Sequence, residues 1–205
     1  MGTLAITSIT NFILASELFF LAGLMVKTPK ARFSAAWFWG GAMLALASSA
    51  LIGGIDHGFV EPAGLPRSFI QRPNWIVVGL ATFCMLLATA RQFFPRRWQR
   101  PALILGAIQL IVYAVAVLLV DDFRVVIVNY APVMLLLLLM NVIGLKRGAG
   151  TWQMVVGILV LLAASAVQAL DVDVLRPLDQ NGLYHVISIV GVLFMYWGGQ
   201  RLKVI

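Results

Sequence analysis

The sequence predicts an all-α polytopic membrane protein: one bundle of seven transmembrane helices over residues 1–205, N-terminus outside and C-terminus cytoplasmic. Three observations carry this prediction. The first is composition. Of 205 residues, 61% are hydrophobic and only 11% charged, and the mean hydropathy is +0.96. A soluble domain carries roughly a quarter charged residues, and there are too few polar side chains here to cover a water-facing surface.

The second observation is the length of the apolar runs. A helix needs about 20 apolar residues to cross the hydrocarbon core. Seven segments reach that length, at roughly 3–26, 33–57, 74–94, 101–120, 124–145, 151–170 and 183–202. Breaker-rich stretches such as KTPKAR, EPAGLPRSFIQRP and PRRWQRP separate them. The first run has no basic segment before it and is too long for a secretory core, so it reads as an uncleaved span. The fourth and fifth runs are joined by a few residues, which predicts a tight antiparallel pair. Pro132 predicts a kink in the fifth.

The third observation is charge. Alternate loops hold Lys27, Lys30 and Arg32; Arg91, Arg96, Arg97 and Arg100; Lys146 and Arg147; and Arg201 and Lys203, with no acid among them. The other face sets Arg67, Arg72, Arg124 and Arg176 against Asp56, Glu61, Asp121, Asp122, Asp171, Asp173 and Asp179. The positive-inside rule makes the first set cytoplasmic, and only an odd number of spans allows that pattern. The expected location is the cell inner membrane, with the lipid bilayer as partner. The net charge of +7 reflects these loops, so nucleic acid is not an expected partner. The one cysteine, Cys84, lies in an apolar run and reads as a small buried hydrophobe.

Polar residues in spans are expensive and mark candidate sites. At the end of the second span, in SSALIGGIDHGF, helical spacing places Ser49, Gly53 and His57 on one stripe, with Asp56 beside His57. The only other histidine opens the last span in NGLYHVIS, where Asn181, His185 and Ser188 share a face. Chain direction puts both histidines in the non-cytoplasmic half, and a tilt or a break near Gly53-Gly54 would bring them level. Two imidazoles and a carboxylate form a possible ligand set for zinc, whose bound water becomes a hydrolytic nucleophile. Against this stands a helix-capping role for either histidine. Glu17 is the one acid well inside a span. A carboxyl at that depth is expected to be protonated, or paired with a residue such as Ser48, Asn141 or Gln109. The other span amides read as interhelical hydrogen-bonding groups, and the six tryptophans as an interfacial belt.

At GIDHGF and NGLYHVIS the chain resembles the seven-helix superfamily of alkaline ceramidases, progestin and adiponectin receptors and Per1-like proteins. It is also similar to an uncharacterised bacterial seven-helix family with an HG and a YH motif. The superfamily resemblance implies zinc held by a histidine of the second helix and an HxxxH pair of the seventh, with amide or ester hydrolysis of a lipid-like substrate. On this chain those positions are His57, His185 and Asn181, the last standing where the first histidine of the pair is expected. Gly53 stands where the superfamily has a serine, and a three-histidine site cannot form. Three functions therefore stay open. One is a metal-dependent lipid hydrolase with Asp56 or Ser49 assisting catalysis. Another is a non-catalytic receptor or accessory subunit with membrane-protein partners. The third is a proton-coupled transporter using Glu17.

Overall fold

A computed structural model describes residues 2–27, 30–172 and 178–203. Asp173 and Arg176, counted above on the acidic face, lie outside the described residues. Among the described residues run seven α-helices: α1 (Thr3–Lys27), α2 (Ala35–Ile55), α3 (Ser68–Phe93), α4 (Arg96–Leu119), α5 (Arg124–Leu145), α6 (Trp152–Ala169) and α7 (Gln180–Gly199). Each is long and apolar enough to cross a membrane. Leu105, Ile111, Leu119 and Val128 are among the many large apolar side chains on the outside, as expected where lipid rather than water is the solvent.

Local sequence explains the starts. Ser34 and Thr151 cap α2 and α6 by accepting from the amides of Trp37 and Met154, each at 3.2 Å, and Asp179 caps α7 through Gly182 N at 2.7 Å. Such caps satisfy amides that have no partner inside the helix. Two starts differ from expectation. The sequence places them at 74 and 101, beside Pro73 and Pro101, but both helices begin at least a turn earlier, with the prolines inside. A proline near a helix start removes a single ladder bond, which membrane helices tolerate. α5 likewise runs unbroken through Pro132.

α1 packs against α2 and α7, α2 against α3, α3 against α5, α5 against α6, and α6 against α7, which closes a ring. α4 stands outside it, mainly against α3. The expected tight α4–α5 pair does not form. Gly106 of α4 lets Phe83 and Leu86 of α3 come close, so α4 spends its small face on α3. A hydrogen bond from Gln109 Nε2 to Asn129 Oδ1 at 3.0 Å still ties α4 to α5. The α6–α7 seam is narrow because Gly157 and Gly191 face the partner backbone; a Cβ on Gly157 would lie 2.8 Å from Met195 N. Small residues permit such close approach in membranes. Trp39 and Trp75 are buried, so the tryptophan belt reduces to Trp37, Trp98, Trp152 and Trp197.

Contacts sort the loops into two ends. At the basic end, Gln92 Nε2 donates to Ala149 O at 2.7 Å, Lys203 N to Gln92 Oε1 at 2.9 Å, and Ala36 N to Lys203 O at 3.0 Å. At the acidic end, Thr7 Oγ1 donates to Asp179 Oδ1 at 2.8 Å, and Ser8 Oγ to Gly54 O at 2.8 Å.

Candidate functional site

The site lies at the acidic end, where the start of α1 meets the end of α2 and the start of α7. α2 does not stop at Ile55. It continues as a π-helical turn, Asp56–Val60, closed by Glu61 N donating to Asp56 O at 2.9 Å. The break expected at Gly53-Gly54 does not occur: the helix runs through both glycines, and the irregularity is this π turn just after them. A π turn often marks a functional position, and this one carries Asp56 and His57. It fits because α1 comes very close: Gly54 faces the Phe12 ring and Gly58 faces Ser8, leaving no room for a Cβ at either position.

Asp56 and His57 have different partners. Asp56 is buried, and both its oxygens accept from Arg67: Oδ2 from Nη2 at 2.7 Å and Oδ1 from Nε at 3.1 Å. Gln71 Nε2 adds a bond to Oδ2 at 3.3 Å. Arg67 Nη1 also reaches Glu61 Oε1 at 2.7 Å. Its hydrogen bonds to Asp56 push the guanidinium above its ordinary range, with the Asp56 and Glu61 charges adding and desolvation opposing. The other Glu61 oxygen lies 2.7 Å from His57 Nδ1. One chain of contacts therefore runs from Gln71 to His57 through Asp56, Arg67 and Glu61.

His185 is buried on α7, its ring 5.3 Å from that of Tyr184. Its Nδ1 lies 3.1 Å from Thr10 Oγ1. That hydroxyl donates its one proton to Thr7 O at 2.9 Å, so toward the ring it accepts, and Nδ1 is the donor. An ionised Glu61 carboxylate likewise only accepts, which makes His57 Nδ1 a donor too. In their neutral form both rings are thus the Nδ1–H tautomer, which leaves the lone pair on Nε2. His57 and His185 are brought to the same end of the bundle, both against α1.

The remaining sequence candidates stand apart. Asn181 Oδ1 accepts from Gln168 Nε2 at 2.8 Å, an α6–α7 tie. Asp56 is held by Arg67 and Gln71. Ser49 lies on α2, two turns before His57 and roughly 12 Å along the axis. A catalytic zinc takes three protein donors and keeps one position open. Two imidazoles are presented here, and among the described residues no three His, Cys, Asp or Glu side chains form a metal-binding group. The donor set falls short of a three-ligand centre. Glu17 Oε2 is buried without a hydrogen-bond partner. Its three expected partners bond elsewhere: Ser48 to Leu44 O, Asn141 to Leu137 O, and Gln109 to Asn129.

Sequence reasoning missed Glu61, Arg67, Thr7 and Thr10. The spacing of Glu61, four residues after His57, was the available signal, masked by the expectation that the helix ends at 57. For the threonines the signal was the polar run TSITN inside an otherwise apolar span.

A family model spanning residues 6–204 matches this chain. The chain belongs to DUF6962, a family of unknown function. Neither a curated protein nor a solved structure matches it. Within this DUF6962 chain, then, the site geometry is the main guide to function.

Proposed function

We propose that this DUF6962 protein is a multi-pass protein of the cell inner membrane, N-terminus outside, acting as a small-ligand receptor or accessory subunit. In this reading it binds its ligand between His57 and His185 at its non-cytoplasmic end. The anchored pair of imidazoles carries the reading. Each ring has Nδ1 engaged by an acceptor, so each, when neutral, offers an Nε2 lone pair. Two acceptors at one end of the bundle suit a ligand with O–H or N–H groups, such as an alcohol, an amine or an amide head. The side of the membrane follows from the acid-free basic loops. We read the chain as a distant relative of the ceramidase and progestin-adiponectin receptor superfamily, with His57 and His185 at two of its zinc positions and Asn181 at the third.

A second reading, metal-dependent hydrolysis of a lipid amide or ester, draws on one observation. A metal-bound imidazole commonly donates its other N–H to a carboxylate, as His57 does to Glu61. There His57 and His185 would hold the ion, which would supply an acidified water.

Non-denaturing mass spectrometry of wild type, His57→Ala and His185→Ala tests the first reading. A small-molecule adduct on wild type and on neither variant is expected; one pattern shared by all three contradicts it. Elemental analysis of the same samples separates the two readings. About one transition-metal ion per chain, lost in both variants, would favour the hydrolase.

A further inference from the structure

At the opposite, basic end of the bundle, a groove of about 450 Å³ opens between α2, α3 and α4. Its walls are apolar along their depth, with Leu80 and Leu103 on the helices and Phe33 and Trp37 at the rim. Only its outer end is polar, where Arg91 and Gln99 line it. Leu80 and Arg91 stand about three turns apart on α3, roughly 16 Å along the axis. That is about the depth of one hydrocarbon leaflet. Hydrocarbon along the depth and a cation at the interface match the two parts of an anionic phospholipid.

Two further features mark the rim as built. Phe33 holds φ at 64°, a left-handed conformation that bulky residues adopt only when their surroundings enforce it. Its ring is fixed by Trp37 at 5.2 Å and Phe38 at 6.1 Å, and the Arg32 guanidinium lies 4.8 Å from the ring centre. The strain positions an aromatic wall beside the groove. Arg91 is exposed, and its Nη1 donates to Gln99 Oε1 at 2.9 Å. This bond orients the guanidinium and leaves further donors for a phosphate.

We propose that this groove binds one anionic phospholipid of the cytoplasmic leaflet, an acyl chain against Leu80 and Leu103 and the phosphate on Arg91. The leaflet rests on the sidedness proposed above; the ligand chemistry does not. The site is separate from the histidine pair and serves to fix the protein to acidic lipid.

The test uses delipidated full-length protein in a neutral detergent, titrated with phosphatidylglycerol or phosphatidylcholine of identical chains and followed by thermal unfolding. Wild type is expected to bind phosphatidylglycerol about fivefold more tightly, the scale of one interfacial cation. The preference should shrink with added salt and vanish in Arg91→Gln, which keeps its response to phosphatidylcholine. Cys84→Trp, which fills the slot, should lose the response to both lipids. Equal binding of both lipids by wild type, or a preference that survives Arg91→Gln, would overturn the proposal. If Cys84→Trp does not fold, the exposed Arg91 variant still decides.

Discussion

His57 and His185 reach the same end of the bundle by different means: one through a carboxylate at the rim, the other through a buried hydroxyl. The anchors differ in what their loss should cost. Arg67→Met leaves the buried Asp56 carboxylate without its bidentate partner. Breaking a buried pair from one side is strongly destabilising. Because Arg67 keeps 28% of its side chain exposed, a loss of about 2–4 kcal/mol is expected in chemical or thermal unfolding. Asp56→Asn in the same background should recover much of it, since the stranded charge is then gone. Thr10→Val should cost about 1–3 kcal/mol by orphaning His185 Nδ1. Glu17→Gln should change stability by less than about 0.5 kcal/mol, because no bond holds the carboxyl. A larger loss would reveal an ionised partner. Both histidines were legible in the sequence, being the only two in the chain. Of their anchors, Glu61 had its spacing from His57 as a signal, whereas Thr10 and His185 are joined by tertiary packing that spacing does not encode.

At the scale of elements, apolar run length located all seven helices, and proline misplaced two starts. The error is physical: Pro73 and Pro101 were counted in the breaker-rich stretches between spans, whereas the ladder needs to give up just one bond to pass either. The π turn was only partly legible. Two glycines signalled an irregularity, but its place depends on α1 meeting Gly54 and Gly58. The α4–α5 pairing failed because a short loop forces proximity, not packing, and α4 has its small residue turned to α3. The α6–α7 seam makes a sharp prediction. Gly157→Ala places a methyl against the α7 backbone, and such overpacking should cost about 1–3 kcal/mol. Gly23→Ala meets no neighbour within 4 Å, so it should be neutral or slightly stabilising by helix propensity. Equal melting temperatures for the two variants would count against the seam.

For the whole molecule, the charge pattern read from the sequence coincides with the contacts: the acid-free loops are tied together by Gln92, Ala149, Lys203 and Ala36, while Thr7 and Asp179 join at the other end. Which end meets the cytoplasm is a property of the membrane and has its own test. A reporter fused after Ile205 should be active in the cytoplasm, and one inserted between Pro62 and Pro66 outside; the reverse at both sites contradicts the positive-inside assignment. The ring closed by α1 and α7 explains why the site forms between the first, second and last helices. In the proposed function both imidazoles, when neutral, carry the proton on Nδ1 and turn the Nε2 lone pair toward one ligand. A chain with two histidines allows a direct measurement: ring-nitrogen NMR of ¹⁵N-histidine-labelled protein in lipid nanodiscs near neutral pH. Two rings with protonated Nδ1 and bare Nε2 are the expected result. Two rings with the proton on Nε2 would leave no lone pair for the ligand and would contradict the claim.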